Sequence, residues 1–402
     1  MVRWQTQKEV AVEDIRMRFP DKKETGSLLL LLMTVLYLLQ TYGRQTATDH
    51  YNRGVRHCDK GRYDKAISEF TKAIQMDPAC ADAYGGRGAA YQRKGRYDQA
   101  IADYRKAIEI NPRLVLALRN RGAIYWEKTE YDNAIADFTR ILEIDARDHR
   151  AYFSRGLAHE GKGDYKQAIA EYDKAIAIAP GYAEPYSTRG TLHNQMGQYG
   201  RAVPDFTKTI ELEPRNADAY YGRALAHYHT GNYDQAIMDY TTVLNLNPAD
   251  SNAYWGRATA YAEQGQYDQA VGDYTKSVEV DPKQALVYCG RAGVYFQQGR
   301  YQDAIADCTT AIAMEPGCVD AYYWRAVAHH QRQNYEQAIA DYNHAIALSP
   351  RNAELYGNRA RTYYCLRAYD DAWADVHKAE SLGLPTDREV LEKLRKASGR
   401  DE

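Results

Sequence analysis

Histidine, arginine and carboxylate side chains recur along this chain at fixed spacing, and each column could carry chemistry. His57, His159, His193, His227 and His329 fall in one register, 34 residues or a multiple of 34 apart. A row of imidazoles could ligate a metal or move protons. Arg53, Arg87, Arg121, Arg155, Arg189, Arg223, Arg257, Arg291, Arg325 and Arg359 form an unbroken column at the same period. Sixteen residues behind it runs an acidic column: Glu69, Asp103, Asp137, Glu171, Asp205, Asp239, Asp273, Asp307, Asp341 and Asp375. The arginines could face an acidic ligand, or the two columns could satisfy one another. Their opposite sign and equal length favour a ladder of Arg–carboxylate pairs with the arginine stems packed. Neighbouring histidines would stand about one helix-packing distance apart, roughly 10 Å, too far to share one ion. Packed histidines are therefore expected.

Little else here could react. The six cysteines, Cys58, Cys80, Cys289, Cys308, Cys318 and Cys365, include no CxxC pair and no metal-ligand spacing. They read as small structural side chains. No nucleophile–base set, phosphate loop or metal motif is present, so neither an enzyme nor a cofactor is expected. The formal net charge of -2 lacks the basic excess that a nucleic-acid binder uses against phosphates.

The elements that must position these columns follow from the same period. Ten residues after each arginine stands a Tyr, from Tyr63 and Tyr97 to Tyr369, and three residues later always an Ala, from Ala66 to Ala372. Most repeats end with a proline: Pro78, Pro112, Pro180, Pro214, Pro248, Pro282, Pro316 and Pro350. With the arginine set at position 7 of the repeat, positions 4, 8 and 11 lie on one face of a first helix, A. Positions 17, 20, 21, 24, 27 and 28 line one face of a second, B. Small residues at 8 and 20 let the two helices approach, a glycine at position 15 turns the chain, and the proline at 32 ends helix B.

This pattern resembles the tetratricopeptide repeat, cleanly so in residues 82–112, DAYGGRGAAYQRKGRYDQAIADYRKAIEINP. The resemblance covers about residues 47–380. It implies an all-α fold: a right-handed superhelical solenoid of antiparallel helix pairs closed by a C-terminal capping helix. Three segments are expected: residues 1–46 as an N-terminal segment, 47–384 as ten repeats, and 385–402 as a capping helix and tail. In the capping helix Thr386 or Asp387 would cap the start, and Val390, Leu391 and Leu394 would share one side.

The resemblance also implies a site. In the family, helix A positions 2, 5, 9, 12 and 13 line a concave surface that holds extended peptides. Carried over, position 5 supplies Tyr51, Arg119, Phe153, Tyr221, Trp255 and Tyr323. Position 12 supplies Trp126, Asn194, Tyr228, Phe296, His330 and Tyr364. Rigid, amphipathic rings of this kind make contact area at low entropic cost; the alternative is that they pack between adjacent A helices. Small residues at position 6 (Gly86, Ser154, Thr188, Gly222, Gly256, Gly290) would let a ligand backbone approach. Acidic residues in these columns (Asp59, Asp82, Glu127, Glu160, Glu184, Asp218, Glu263, Asp320, Glu354) outnumber the basic ones (Arg93, Arg119, Arg150, Arg361). The expected partner is thus a protein or peptide, neutral or basic, with apolar anchors. The Lys and Asn that clamp a C-terminal carboxylate in chaperone-binding members, at positions 5 and 9, are missing from every repeat. So is a continuous Asn row at position 6, the mark of O-linked N-acetylglucosamine transferase arms.

The expected function is a non-enzymatic protein–protein interaction scaffold. The alternative is a structural or assembly factor of the cell envelope that uses its convex face or its ends. Oligomeric state is left open by the pattern.

Two places depart from the repeat. Residues 28–39 are a leucine-rich run whose helical length, about 18 Å, falls short of the roughly 30 Å hydrocarbon core. Arg16, Arg18, Lys22 and Lys23 precede it, and Met17 could begin an n-region of ordinary length. Membrane attachment or export through this run is expected, with a cytoplasmic solenoid-capping helix as the alternative. Cleavage near Thr46–Thr48 has a poor small-residue signal. In the fifth repeat, Pro204 beside Gly200 should delay or kink helix B and bend the chain near residues 181–207.

Overall fold

In the computed structural model, which describes residues 22–385 and 388–399, helices alternate from end to end. They are α1 (Lys22–Asp59), α2 (Tyr63–Met76), α3 (Ala81–Arg93), α4 (Tyr97–Ile110), α5 (Val115–Glu127), α6 (Tyr131–Ile144), α7 (His149–Lys162) and α8 (Tyr165–Ile178). There follow α9 (Ala183–Gln195), α10 (Tyr199–Leu212), α11 (Ala217–His229), α12 (Tyr233–Leu246), α13 (Ser251–Glu263) and α14 (Tyr267–Val280). The last are α15 (Ala285–Gln297), α16 (Tyr301–Met314), α17 (Val319–Gln331), α18 (Tyr335–Leu348), α19 (Ala353–Cys365), α20 (Tyr369–Ser381) and α21 (Arg388–Ser398). Up to α20, odd-numbered helices are the A helices of the repeats and even-numbered ones the B helices. The fold is all-α, a solenoid of antiparallel helix pairs. It divides into two compact units, residues 1–181 and 182–402.

The A–B turn is built identically in every repeat. At position 15 Gly61, Gly95, Gly163, Gly197, Gly231, Gly265 and Gly299 take φ between 66° and 86°. The next backbone N–H then bonds back to the carbonyl of position 11, as Arg96 does to Tyr91 at 2.9 Å. Three repeats make this left-handed turn without glycine, at Thr129 (φ 59°), Gln333 (φ 62°) and Arg367 (φ 59°). The surrounding helices therefore impose a conformation that these side chains disfavour. Helix B ends at the same place with or without the proline: α6 stops at Ile144 although Ala146 stands where Pro is usual.

The fifth repeat corrects an expectation. Helix α10 runs unbroken from Tyr199 to Leu212 with Pro204 inside it, starting at the same position as the other B helices. Burial of Ala202, Phe206 and Thr209 outweighs the one backbone bond that Pro204 cannot donate.

Between the helices of each unit lies a core of alanines and rings. The position-20 alanines are at most 1% exposed, and Tyr104 and Tyr172 in the first unit and Tyr240 and Tyr342 in the second are fully buried or nearly so. At the C-terminus α21 buries Leu394 against Ala360, Trp373 and Val376, with Leu391 at the margin. The Trp373 Nε1–H donates to Ser398 Oγ at 3.2 Å. The proposed caps Thr386 and Asp387 lie outside the described residues, as do Arg16, Met17 and Arg18.

The leucine-rich run and the first A helix are one element. Helix α1 passes through the Thr46–Thr48 region without interruption, and Ala47 is already buried. Upstream, Leu30, Leu31, Met33, Val35 and Tyr37 are exposed. Among the described residues no helix is long and apolar enough to cross a membrane.

Candidate functional site: the A-helix face

The arginine column is spent on structure. Arg87 donates to Asp103 through Nε and Nη2, both at 2.7 Å, and through Nη1 to Thr71 of the preceding repeat at 3.1 Å. Arg223 repeats this with Asp239 and Thr207, and Arg257 with Asp273 and Thr241. Arg155, Arg291 and Arg325 do the same with Thr139, Thr275 and Thr309. These guanidinium groups thus tie their own B helix to the one before, over the ring of the position-4 tyrosine (5.6 Å for Arg87 over Tyr84). Arg121 instead bonds Asp137 and lies over Tyr125. Only the first repeat is loose. There Glu69 is taken by His50 (2.7 Å) and Lys72 (2.5 Å), which hold its carboxyl down at about 2, and Arg53 stands 3.9 Å off. The ladder expected from the paired columns is present, and it leaves no arginine row for an acidic ligand.

The position-11 histidines turn inward. His193 is buried, with Nδ1 at 3.1 Å from Gln198 Oε1. Burial lowers the pKa of His193, His227 and His329, despite the Asp205, Asp239 and Asp341 carboxylates that oppose the shift. Among the described residues no three His, Cys, Asp or Glu side chains stand together as a metal-ligand set.

Position 5 meets the residue just before the next A helix, 29 positions on. Arg119 donates to Asp148 at 2.6 Å, and Cys289 Sγ lies 3.5 Å from Cys318 Sγ. The aromatic members lean on the position-24 ring of their own repeat. Centroid distances are 5.7 Å for Tyr51–Phe70 and Phe153–Tyr172, and 5.6 Å for Tyr221–Tyr240. Trp255 packs on the cluster around Tyr274, and Tyr323 donates to Glu354 at 3.0 Å.

Position 12 reaches to the following A helix or to its own B helix. Trp126 donates to the Leu157 carbonyl at 3.2 Å while remaining 42% exposed. Asn194 donates to the Gly222 carbonyl at 2.8 Å, Tyr228 to Glu263 at 3.5 Å, and His330 pairs with Thr362 at 2.9 Å. Phe296 lies 5.7 Å from Trp324, and Tyr364 6.1 Å from Tyr369. All of these side chains except Trp126 are half-buried. The two columns share the A helices of each unit, where neighbouring residues engage them in part and leave them partly open.

Position 6 is corrected by its neighbours. A Cβ on Gly86 would sit 2.6 Å from Phe70 Cζ, and one on Gly256 2.5 Å from Tyr240 Cζ. The space there is filled by the ring of the preceding repeat, so these residues are small for packing and not for a ligand backbone.

A cavity of about 270 Å³ opens in the first unit where α1, α3 and α5 come together, lined by Tyr51, Asp82, Gly85, Ala89, Leu114 and Leu116 among others. It exists because the second repeat carries Gly85 where its neighbours place Tyr51 and Arg119. A Cβ on Gly85 would touch only Leu114 Cδ2, at an ordinary 3.6 Å. Burial, then the Asp82 carboxylate, raises the pKa of Tyr51 at its edge. Gly85, Ala89, Leu114 and Leu116 lie outside the bulky groove residues that the repeat pattern names, and the gap at Gly85 in the position-5 column is their signal in the sequence.

Tetratricopeptide repeat profiles match residues 118–183, 188–251 and 289–353, then 81–114, and a TPR repeat profile matches 54–95 and 258–299. The chain belongs to the tetratricopeptide repeat family. No curated protein matches it. Among solved structures, MamA is similar at 27% identity over 40% of this chain and 94% of its own, with a TM-score of 0.39. YrrB, described as a TPR protein with an unusual peptide-binding site, aligns at 22% identity over 46% and 95%, TM-score 0.42. Yeast Tom70 aligns at 16% identity over 88% and 95%, TM-score 0.41. As a tetratricopeptide repeat protein, the chain is a protein–protein interaction scaffold.

Proposed function

We propose that this scaffold is non-enzymatic and holds a polypeptide segment, neutral or basic with apolar anchors, against the A-helix face of its repeats. The cavity among α1, α3 and α5 carries this reading, because it is an apolar opening on the face that holds columns 2, 5 and 9. The ladder arginines are occupied, so recognition falls to the half-open rings of positions 5 and 12 and to exposed Leu116 and Leu286 at position 2. Acidic groups of the same columns favour a basic segment.

A photo-crosslinking residue placed at Leu116, and separately at Met238 on the B-helix surface, tests the choice of face in the full chain. Both positions are exposed, at 65% and 68%, so neither replacement disturbs packing. Adducts with the bound polypeptide are expected from Leu116 and not from Met238. The reverse result would overturn the groove and support an assembly factor working through its convex face.

The leucine-rich run attaches the scaffold to a membrane surface. Support comes from the exposure of Leu30, Leu31, Met33, Val35 and Tyr37 on a helix continuous with the first repeat. Apolar side chains left bare in water in this way fit burial against a membrane surface.

A further inference from the structure

The cavity between the first three A helices has dimensions and charge that select a ligand side chain. Its volume of about 270 Å³ lies just below the range of roughly 300–1,000 Å³ that holds whole small molecules, so it suits one or two side chains of a longer ligand. Its lining includes the buried rings of Phe70 and Tyr104 together with Tyr51, Leu114 and Leu116. Asp82 is the single charged residue of the lining, and it is exposed. It stands three residues before Gly85 on α3, which places it on the same helix face at the rim.

We infer that this cavity is a specificity pocket for a large apolar side chain, of Leu, Met or Phe size, followed closely by Lys or Arg. The apolar group fills the space that Gly85 leaves open and displaces water from the rings beneath. The cation of the next residue or two meets Asp82 at the rim. The pocket sets the register of the bound segment, because the neighbouring repeats fill the equivalent position with the side chains of Tyr51 and Arg119. This inference rests on the groove reading above and names the occupant of one point in it.

Phage-displayed random dodecapeptides, selected on the immobilised full chain, test both. Selection on the native sequence should enrich an apolar–basic pair. Gly85→Leu fills the pocket, and the helix should tolerate it, since the new Cβ meets only Leu114 and glycine is a poor helix former. In that variant the thermal midpoint should stay the same or rise, while recovery of the selected peptides falls at least tenfold. Asp82→Lys should keep the apolar preference and exchange the basic neighbour for an acidic one. Unchanged enrichment with Gly85→Leu would overturn the pocket and leave the groove standing if Trp255→Ala lowers recovery. No peptide recovered by the native chain would overturn the groove reading itself.

Discussion

His193, His227 and His329 occupy a position where other repeats place Tyr, and the chemical difference is a titration. Each imidazole is desolvated, so its folded pKa lies below the ordinary value of 6.5, and burial outweighs the facing Asp205, Asp239 or Asp341. His330 is lowered as well, by burial and then by Arg361. A histidine held neutral in the folded state binds fewer protons there than in the unfolded chain. The stability it permits is complete above about pH 6.5 and is lost as the pH falls from that value toward the lowered folded pKa. The urea midpoint should therefore fall between pH 7 and pH 5.5. Replacing all four histidines by Tyr should flatten that fall, and an equal slope in the variant would show that other groups cause it. The period made these histidines visible as a column, but their burial depends on which ring or carboxylate the fold puts beside them.

At the scale of helices, contacts inside one repeat could be read from spacing and contacts between repeats could not. The turn glycines, the alanine at position 20 and the arginine–acid pairing follow from a 3.6-residue period and a 34-residue repeat. The small residues at position 6 owe their size to a ring from the preceding repeat, sixteen residues back, which no single-helix pattern predicts. Pro204 shows the same limit, since local preference argued for a delayed or kinked helix, whereas α10 starts in register and runs unbroken with Ala202, Phe206 and Thr209 buried. The site divides in the same way: the columns were legible, while the cavity arises from a side chain missing at Gly85. Gly256→Ala isolates the inter-repeat contact. Alanine favours a helix over glycine by about 1 kcal/mol, but here its Cβ would lie 2.5 Å from Tyr240 Cζ. Tyr240 is 2% exposed and held against Tyr221, so it has little room to yield. Overpacking of this kind costs about 1–3 kcal/mol. A net loss of up to about 2 kcal/mol in chemical denaturation is expected, and a gain would mean that the ring is free to move.

For the molecule as a whole, what remains is where the scaffold sits. The leucine-rich run covers about 18 Å as a helix, against roughly 30 Å for a bilayer core, so the attachment proposed above would engage a single leaflet. Because α1 is continuous from Lys22 to Asp59, a run held at a membrane would hold the first repeat beside it without a flexible joint. The full chain should therefore cosediment with vesicles of phosphatidylcholine and phosphatidylglycerol. Replacing Leu30, Leu31 and Met33 by Glu removes three exposed apolar side chains, each contributing about 2 kcal/mol when buried. The partition coefficient should drop by more than about 100-fold. Circular dichroism and the thermal midpoint should hold, since none of the three packs in the core. If the native chain stays in the supernatant and light scattering gives twice the chain mass, a second copy covers the leucines and the membrane assignment fails.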